Sequence, residues 1–273
     1  MQNTTMNISG TVNSELNYIK PDTALVPEVF YSGGPAPQRY SEAYEFMPAT
    51  INDARESGGV FSIHKQGIEL VTARTANKVF DDDQVIKDVY YDEVVSIVKD
   101  QTGAEDVFVF DHTVRLGKRG SLRKPAHHVH NDYTEKTAHT RAEECVGELL
   151  FSRMTGRRMI QINVWRPLVD VVKRSPLAFC AADSIDQNDL IPTKIHFPDT
   201  DHVGEIYALR KASAQRWFYF SEMTGDEVVL IKGYDSLKEG VARFTPHTAF
   251  EYPDQDPDFG ARHSIETRTF AFY

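Results

Sequence analysis

From residue 160 to the C-terminus, the sequence breaks into short runs of β-branched and aromatic residues separated by turn signals. The runs fall at 160–167, 177–182, 205–209, 217–220, 227–231, 242–247 and 264–273. Each offers one apolar face that must be covered, and many short strands at regular spacing achieve this by curling into a barrel or packing as a sandwich. Pro167 closes the first run, because proline has no N–H to give to a ladder.

The N-terminal half reads differently. Asp81-Asp82-Asp83 offers N-caps for a helix running to about Lys99, with Val85, Ile86, Val89, Tyr90, Val94, Val95, Ile97 and Val98 at roughly helical spacing. A second helix starts at Thr134 and runs through Ala142, Cys145, Val146, Leu149, Leu150 and Met154. Residues 106–115 alternate as a strand, residues 59–71 read as a hairpin turning at Gly67, and residues 30–37 read as irregular. With no repeat, low-complexity tract or linker to divide it, the expectation is one domain over residues 1–273. Within it, residues 1–24 are loose, 25–104 give mixed helical and hairpin support, and 105–273 form the β core.

Composition excludes several function classes. A net charge of −10 argues against nucleic-acid binding, which needs clustered Lys and Arg. The one basic run, Arg115, Lys118, Arg119, Arg123 and Lys124, is broken by Gly117, Gly120 and Ser121 and reads as a solvated or substrate-mouth loop. No 18-residue apolar stretch exists, so no membrane span is expected, and residues 1–17 lack a secretory core. The two cysteines, Cys145 and Cys180, fall in a helical segment and an apolar run and read as buried thiols. A cytoplasmic protein follows.

The chemistry concentrates at Lys124-Pro125-Ala126-His127-His128-Val129-His130-Asn131-Asp132-Tyr133-Thr134. In an extended chain, residues two apart share a face, so His130 and Asp132 can hold one metal ion. Joined by a later histidine, they form the ligand set of non-haem Fe(II) oxygenases, which leaves coordination positions open for a co-substrate and dioxygen. His247 is the expected third ligand and His202 its competitor. Arg268 and Arg262, on and just before the closing strand, are the candidates to grip the far carboxylate of 2-oxoglutarate, since guanidinium makes two parallel bonds to a carboxylate. Asn163 and Arg166 are further co-substrate candidates, although alternation puts Asn163 and Trp165 on one face of the strand and Arg166 on the other. Trp165 and Tyr133 are expected to wall an apolar substrate, and the run from Trp217 to Phe220 is expected in the core.

Taken in order, several segments resemble the CmcJ/AsaB-like hydroxylase/desaturase family found in secondary-metabolite clusters of fungi and bacteria. They are His130-Asn131-Asp132-Tyr133-Thr134, Asn163-Val164-Trp165-Arg166-Pro167, Arg216-Trp217-Phe218-Tyr219-Phe220 through Tyr234-Asp235-Ser236, Phe244-Thr245-Pro246-His247-Thr248 and Ser264-Ile265-Glu266-Thr267-Arg268. The resemblance covers roughly residues 100–273. It implies a double-stranded β-helix (jelly-roll, cupin-like) core with flanking helices, and an Fe(II)- and 2-oxoglutarate-dependent dioxygenase. It further implies oxidation of an apolar secondary metabolite, with dioxygen as partner, by hydroxylation, desaturation or, as in a meroterpenoid pathway, endoperoxide formation. Gln215 departs from the pattern, which has a histidine just before the Trp-aromatic run, and this leaves the third ligand open.

Two other readings compete: a non-redox cupin-like metal-binding protein or isomerase on the same barrel, and a methyltransferase. The second is disfavoured because no Gly-rich strand-to-helix loop is visible. Substrate identity is not legible, and a homodimer is one assembly open to the chain.

Overall fold

The computed structural model describes residues 10–21, 24–30, 39–115, 125–197, 202–256 and 259–273. The N-terminal strands are β1 (Thr11–Ile19), β2 (Glu28–Phe30), β3 (Arg39–Tyr40), β4 (Tyr44–Asp53) and β5 (Ile68–Thr72). A continuous helical stretch follows, made of α1 (Asp83–Val85), a π-helical turn (Ile86–Tyr90) and α2 (Tyr91–Thr102). Then come β6 (Asp106–Arg115), β7 (His130–Asn131), α3 (Glu135–Val146), α4 (Glu148–Met154), β8 (Met159–Pro167), β9 (Leu177–Cys180), β10 (Leu190–Phe197) and β11 (His202–Leu209). The chain ends with β12 (Trp217–Tyr219), β13 (Glu227–Asp235), β14 (His247–Ala249) and β15 (Ser264–Phe272).

Ten strands form one curled sheet in the order β1-β4-β12-β9-β14-β7-β11-β10-β2-β3, and five form a second in the order β5-β13-β8-β15-β6. Side chains from both meet in one core: Leu16, Tyr18, Ile51 and Trp217 from the larger sheet against Tyr234, Phe270 and Phe272 from the smaller. The result is a mainly β jelly roll with flanking helices. The helical stretch covers the other face of the smaller sheet, where Ile86, Tyr90, Val94 and Val98 pack on Ile160, Ile162, Val164 and Val228. Asp82 caps it, its carboxylate accepting from Gln84 N at 2.9 Å and Val85 N at 3.2 Å. Gly103, at φ 72°, ends it. The expected second helix is two, divided at Gly147 with φ 84°.

Three expectations are corrected. Residues 11–19, expected loose, form β1 and pair along their whole length with β4; the long-range partner overrides the weak strand preference of Asn, Ser and Glu. Residues 1–9, 22–23, 31–38 and 118–124, which hold the rest of the tail, most of the irregular 30–37 segment and the basic run beyond Arg115, lie outside the described residues. The hairpin about Gly67 does not exist: Ile68–Thr72 pairs with β13 instead. Gly67 takes φ 78°, and a Cβ there would collide with Thr245 Oγ1, so the glycine serves a close backbone approach. β10 was not anticipated, because Pro192 interrupts it. Proline is tolerated where a strand has one neighbour, and β2 pairs with β10 only over Lys194–His196. Pro48 in β4 repeats the arrangement, since β12 pairs only with Ile51–Asp53.

Candidate metal centre

The two-residue strand β7 is what brings the site together. It lies between β14 and β11, with His130 directly opposite His247 on one side and opposite Ala208 on the other. Directly opposed residues of antiparallel strands project to the same face, and the two imidazole rings lie 4.7 Å apart. Asp132 follows two residues on, its Oδ1 3.4 Å from His130 Nε2. Immediately after it, Thr134 caps α3: Thr134 N donates to Thr137 Oγ1 at 2.9 Å and Thr137 N donates to Thr134 Oγ1 at 3.2 Å. The chain around Asp132 is therefore pinned at both ends. One ligand atom from each of His130, Asp132 and His247 lies within 4.8 Å of the others.

The hydrogen bonds set the protonation states a metal requires. His130 Nδ1 lies 2.8 Å from His128 O, and His247 Nδ1 lies 3.0 Å from Thr245 O. A carbonyl only accepts, so both rings carry their proton on Nδ1 and leave the Nε2 lone pair for the centre. Burial, reinforced by neighbouring His130, holds His247 below the usual imidazole range. Burial opposes ionisation of Asp132, but the neighbouring His130 ring and the positive charge of Arg268 outweigh this and hold its carboxyl well below the usual range. A neutral His247 and an ionised Asp132 are metal-binding forms.

The other predicted residues divide by position. Asn163 Nδ2 donates to Asp132 Oδ2 at 2.7 Å. Arg268 lies beside it among acids: Nη1 on Asp111 Oδ1 at 2.9 Å, Nη2 on Glu266 Oε1 at 2.6 Å and Nε 3.5 Å from Asp132 Oδ2. Burial works against its charge, yet those carboxylates raise its pKa well above the ordinary value. Arg262 is different. One nitrogen donates to Ser175 O, the guanidinium sits 5.2 Å from the centre of the Trp165 ring, and buried Nε has no partner. Burial, with Arg115 nearby, pushes its pKa down to about 9, which leaves it charged at neutral pH. Arg166 does not reach the cavity. It projects to the helix side of β8, donating to Tyr90 Oη at 2.9 Å and to Ala73 O and Gly225 O at 2.6 Å each. His202 is exposed at the start of β11 with its ring centre 5.7 Å from that of Phe197, outside the group formed by His130, Asp132 and His247.

A cavity of about 930 Å³ opens in front of His130, Asp132 and His247. Tyr133, Trp165, Arg262, Glu266, Lys136 and His202 are among the other residues that line it. Two imidazoles and a carboxylate facing open space fit Fe(II) with positions to spare. The orphaned Nε of Arg262 fits a carboxylate ligand.

Comparison with known proteins agrees with this geometry. The family model described as oxidoreductase/YMDC permease-like domain matches residues 16–272. Hydroxylase/desaturase efuI of Hormonema carpetanum is 33% identical over 97% of this chain and 96% of its own length. The chain belongs to the hydroxylase/desaturase family. Similar to it too is the Fe(II)/2-oxoglutarate-dependent dioxygenase nvfI of Aspergillus novofumigatus, 28% identical over 95% of this chain and 96% of its own. The solved structure of the iron and alpha-ketoglutarate-dependent endoperoxidase NvfI superposes with a TM-score of 0.84 at 27% identity, covering 97% of this chain and 98% of that one.

Sequence reasoning missed residues that shape the hydroxylase/desaturase site without touching its centre. Asn131, inside the motif itself, donates to Gly233 O and Tyr133 O at 2.8 Å each and accepts from Thr245 N at 2.9 Å. It thereby ties the strand of His130 to the segment that presents His247. Gln161 was missed as well, though the alternation that paired Asn163 with Trp165 puts it on the same face.

Proposed function

We infer that His130, Asp132 and His247 hold the Fe(II) of a 2-oxoglutarate-dependent dioxygenase that oxidises a small secondary metabolite. One observation carries the reading: the ligand atoms converge within 4.8 Å, with both ring tautomers fixed by backbone carbonyls. Fe(II) with 2-oxoglutarate supplies oxidising power by coupling loss of carbon dioxide from the keto acid to activation of dioxygen. The protein's part is to bind, orient and shield.

Arg262 is our choice for the distal carboxylate of 2-oxoglutarate, because it lines the cavity and its guanidinium has a nitrogen, Nε, without a partner. Arg268 is already matched by Asp111, Glu266 and Thr113, so its role is to hold Asp132. Trp165 and Tyr133 form the wall against which an apolar substrate rests. Hydroxylation, desaturation and endoperoxide formation all start with hydrogen abstraction and suit the same cavity. Two free thiols, Cys145 and Cys180, favour a reducing, cytoplasmic setting.

The test is anaerobic titration of the Fe(II)-loaded protein with 2-oxoglutarate, followed by absorbance. A visible metal-to-ligand charge-transfer band is expected for the wild type and none for Asp132→Ala, which should also form no succinate. A wild-type protein that binds iron but shows no band would favour a non-redox cupin.

A further inference from the structure

We propose that Gln161 is a positioning residue for the metal-binding carboxylate, acting through Asn163. This rests on the assignment of Asp132 as a ligand.

Gln161 Nε2 donates to Asn163 Oδ1 at 2.6 Å, and Asn163 Nδ2 donates to Asp132 Oδ2 at 2.7 Å. Both amides are buried, Gln161 at 0% and Asn163 at 1% exposure. The polarity of this series is set from the Asp132 end. An ionised carboxylate only accepts, so Asn163 must present its NH₂ to Asp132 and its oxygen to Gln161. Gln161 must then present its own NH₂ to Asn163. Its oxygen is left over, and Gln161 Oε1 is buried with no partner. Buried orphan acceptors are unfavourable; this one is what remains when every other polarity in the row is dictated by the carboxylate.

The backbone makes room for the arrangement. β13 and β8 slip register between Lys232 and Tyr234, opposite Gln161 and Ile162, so Gly233 is the extra residue of a β-bulge. A Cβ at Gly233 would collide with Gln161 Oε1. The bulged glycine thus opens the space that Gln161 fills. Gly233 O in turn accepts from Asn131, the residue between the two proposed ligands. The consequence reaches the metal centre. With Oδ2 occupied by Asn163 and faced by Arg268 Nε at 3.5 Å, Asp132 has Oδ1, on the His130 side, left to offer.

The experiment is a double-mutant cycle on metal affinity, using anaerobic Fe(II) titration and the d–d spectrum of the Co(II)-loaded protein. Metal-free thermal unfolding serves as the packing control. Asn163→Ala should weaken Fe(II) binding about 10- to 100-fold. Gln161→Met keeps the bulk of the side chain and removes the donor, and should weaken binding about 3- to 10-fold, with a changed Co(II) spectrum. The double variant should be no weaker than Asn163→Ala alone, since Gln161 has nothing left to act through. Should Gln161→Met fail to fold, Gln161→Leu serves, because it too removes the donor and should weaken binding in the same sense. Gln161 variants that bind within twofold of wild type, or losses that multiply in the double variant, overturn the relay while leaving the metal centre intact. A wild type that binds no metal, or an Asp132→Ala variant that binds as well as wild type, overturns both.

Discussion

Strand β8 is buried along its whole length, yet its two faces do different work. One face presents Ile160, Ile162 and Val164 to the helical stretch, and its polar residue, Arg166, ends on Tyr90 Oη and on the carbonyls of Ala73 and Gly225. Those bonds join the helix, the end of β5 and the turn before β13 to the centre of the sheet. The other face presents Gln161, Asn163 and Trp165, and its hydrogen bonds end on Asp132 beside open space. Both sides are buried and both carry hydrogen-bonded polar side chains. What separates a structural cluster from a chemical one here is where the row of bonds ends, and whether anything can enter there.

Arg166→Met should give the largest effect and confine it to the first face. Loss of the guanidinium orphans two part-buried carbonyls and a buried phenol at a cost of about 3 to 5 kcal/mol. The thermal midpoint should fall by on the order of 10 °C, with Fe(II) and 2-oxoglutarate affinities of the folded protein unchanged. Circular dichroism melts alongside anaerobic titrations read both quantities. Weakened keto-acid binding without a drop in stability would break the division between the faces.

Arg262→Leu should give the converse. Only Ser175 O loses a donor, so the melting point should barely move. Affinity for 2-oxoglutarate should fall about 10- to 100-fold, the range of a charge-assisted hydrogen bond. If Arg268 were the anchor instead, the titration would be unaltered and iron binding would be the quantity at risk.

Which of these features the sequence could yield follows from the range of the interactions involved. His130 and Asp132 were legible because two ligands two residues apart need only an extended chain. His247 emerged from the order of strands, and its standing over His202 became geometric only when β14 paired with β7. Alternation correctly put Arg166 opposite Asn163. The role expected for it was wrong because a buried arginine can be needed by backbone carbonyls as well as by an anion, and nothing local distinguishes the two. β1, β4 and β10 were hidden because polar residues or proline weaken their local signal, while β1 and β4 are held by each other across 30 or so residues and β10 by full-length pairing with β11. The orphaned nitrogen of Arg262 and the bulge at Gly233 are properties of packed surfaces, and no periodicity announces them.

Gln215 provides the smallest effect and the sharpest check on the ligand set. It stands where the resemblance led to the expectation of a histidine, yet Gln215 Nε2 donates to Arg210 O at 2.7 Å in the connection between β11 and β12. It is neither on the inner face of β8 nor on the cavity wall. Gln215→His should therefore leave Fe(II) stoichiometry, affinity and the Co(II) spectrum as they are, and change stability by no more than about 1 kcal/mol for one exchanged hydrogen bond. A histidine that entered the metal's coordination from this position would add to His247 or replace it, and the spectrum would register the change at once. That outcome would mean the opposition of His130 and His247 across β7 and β14 does not by itself define the ligand set.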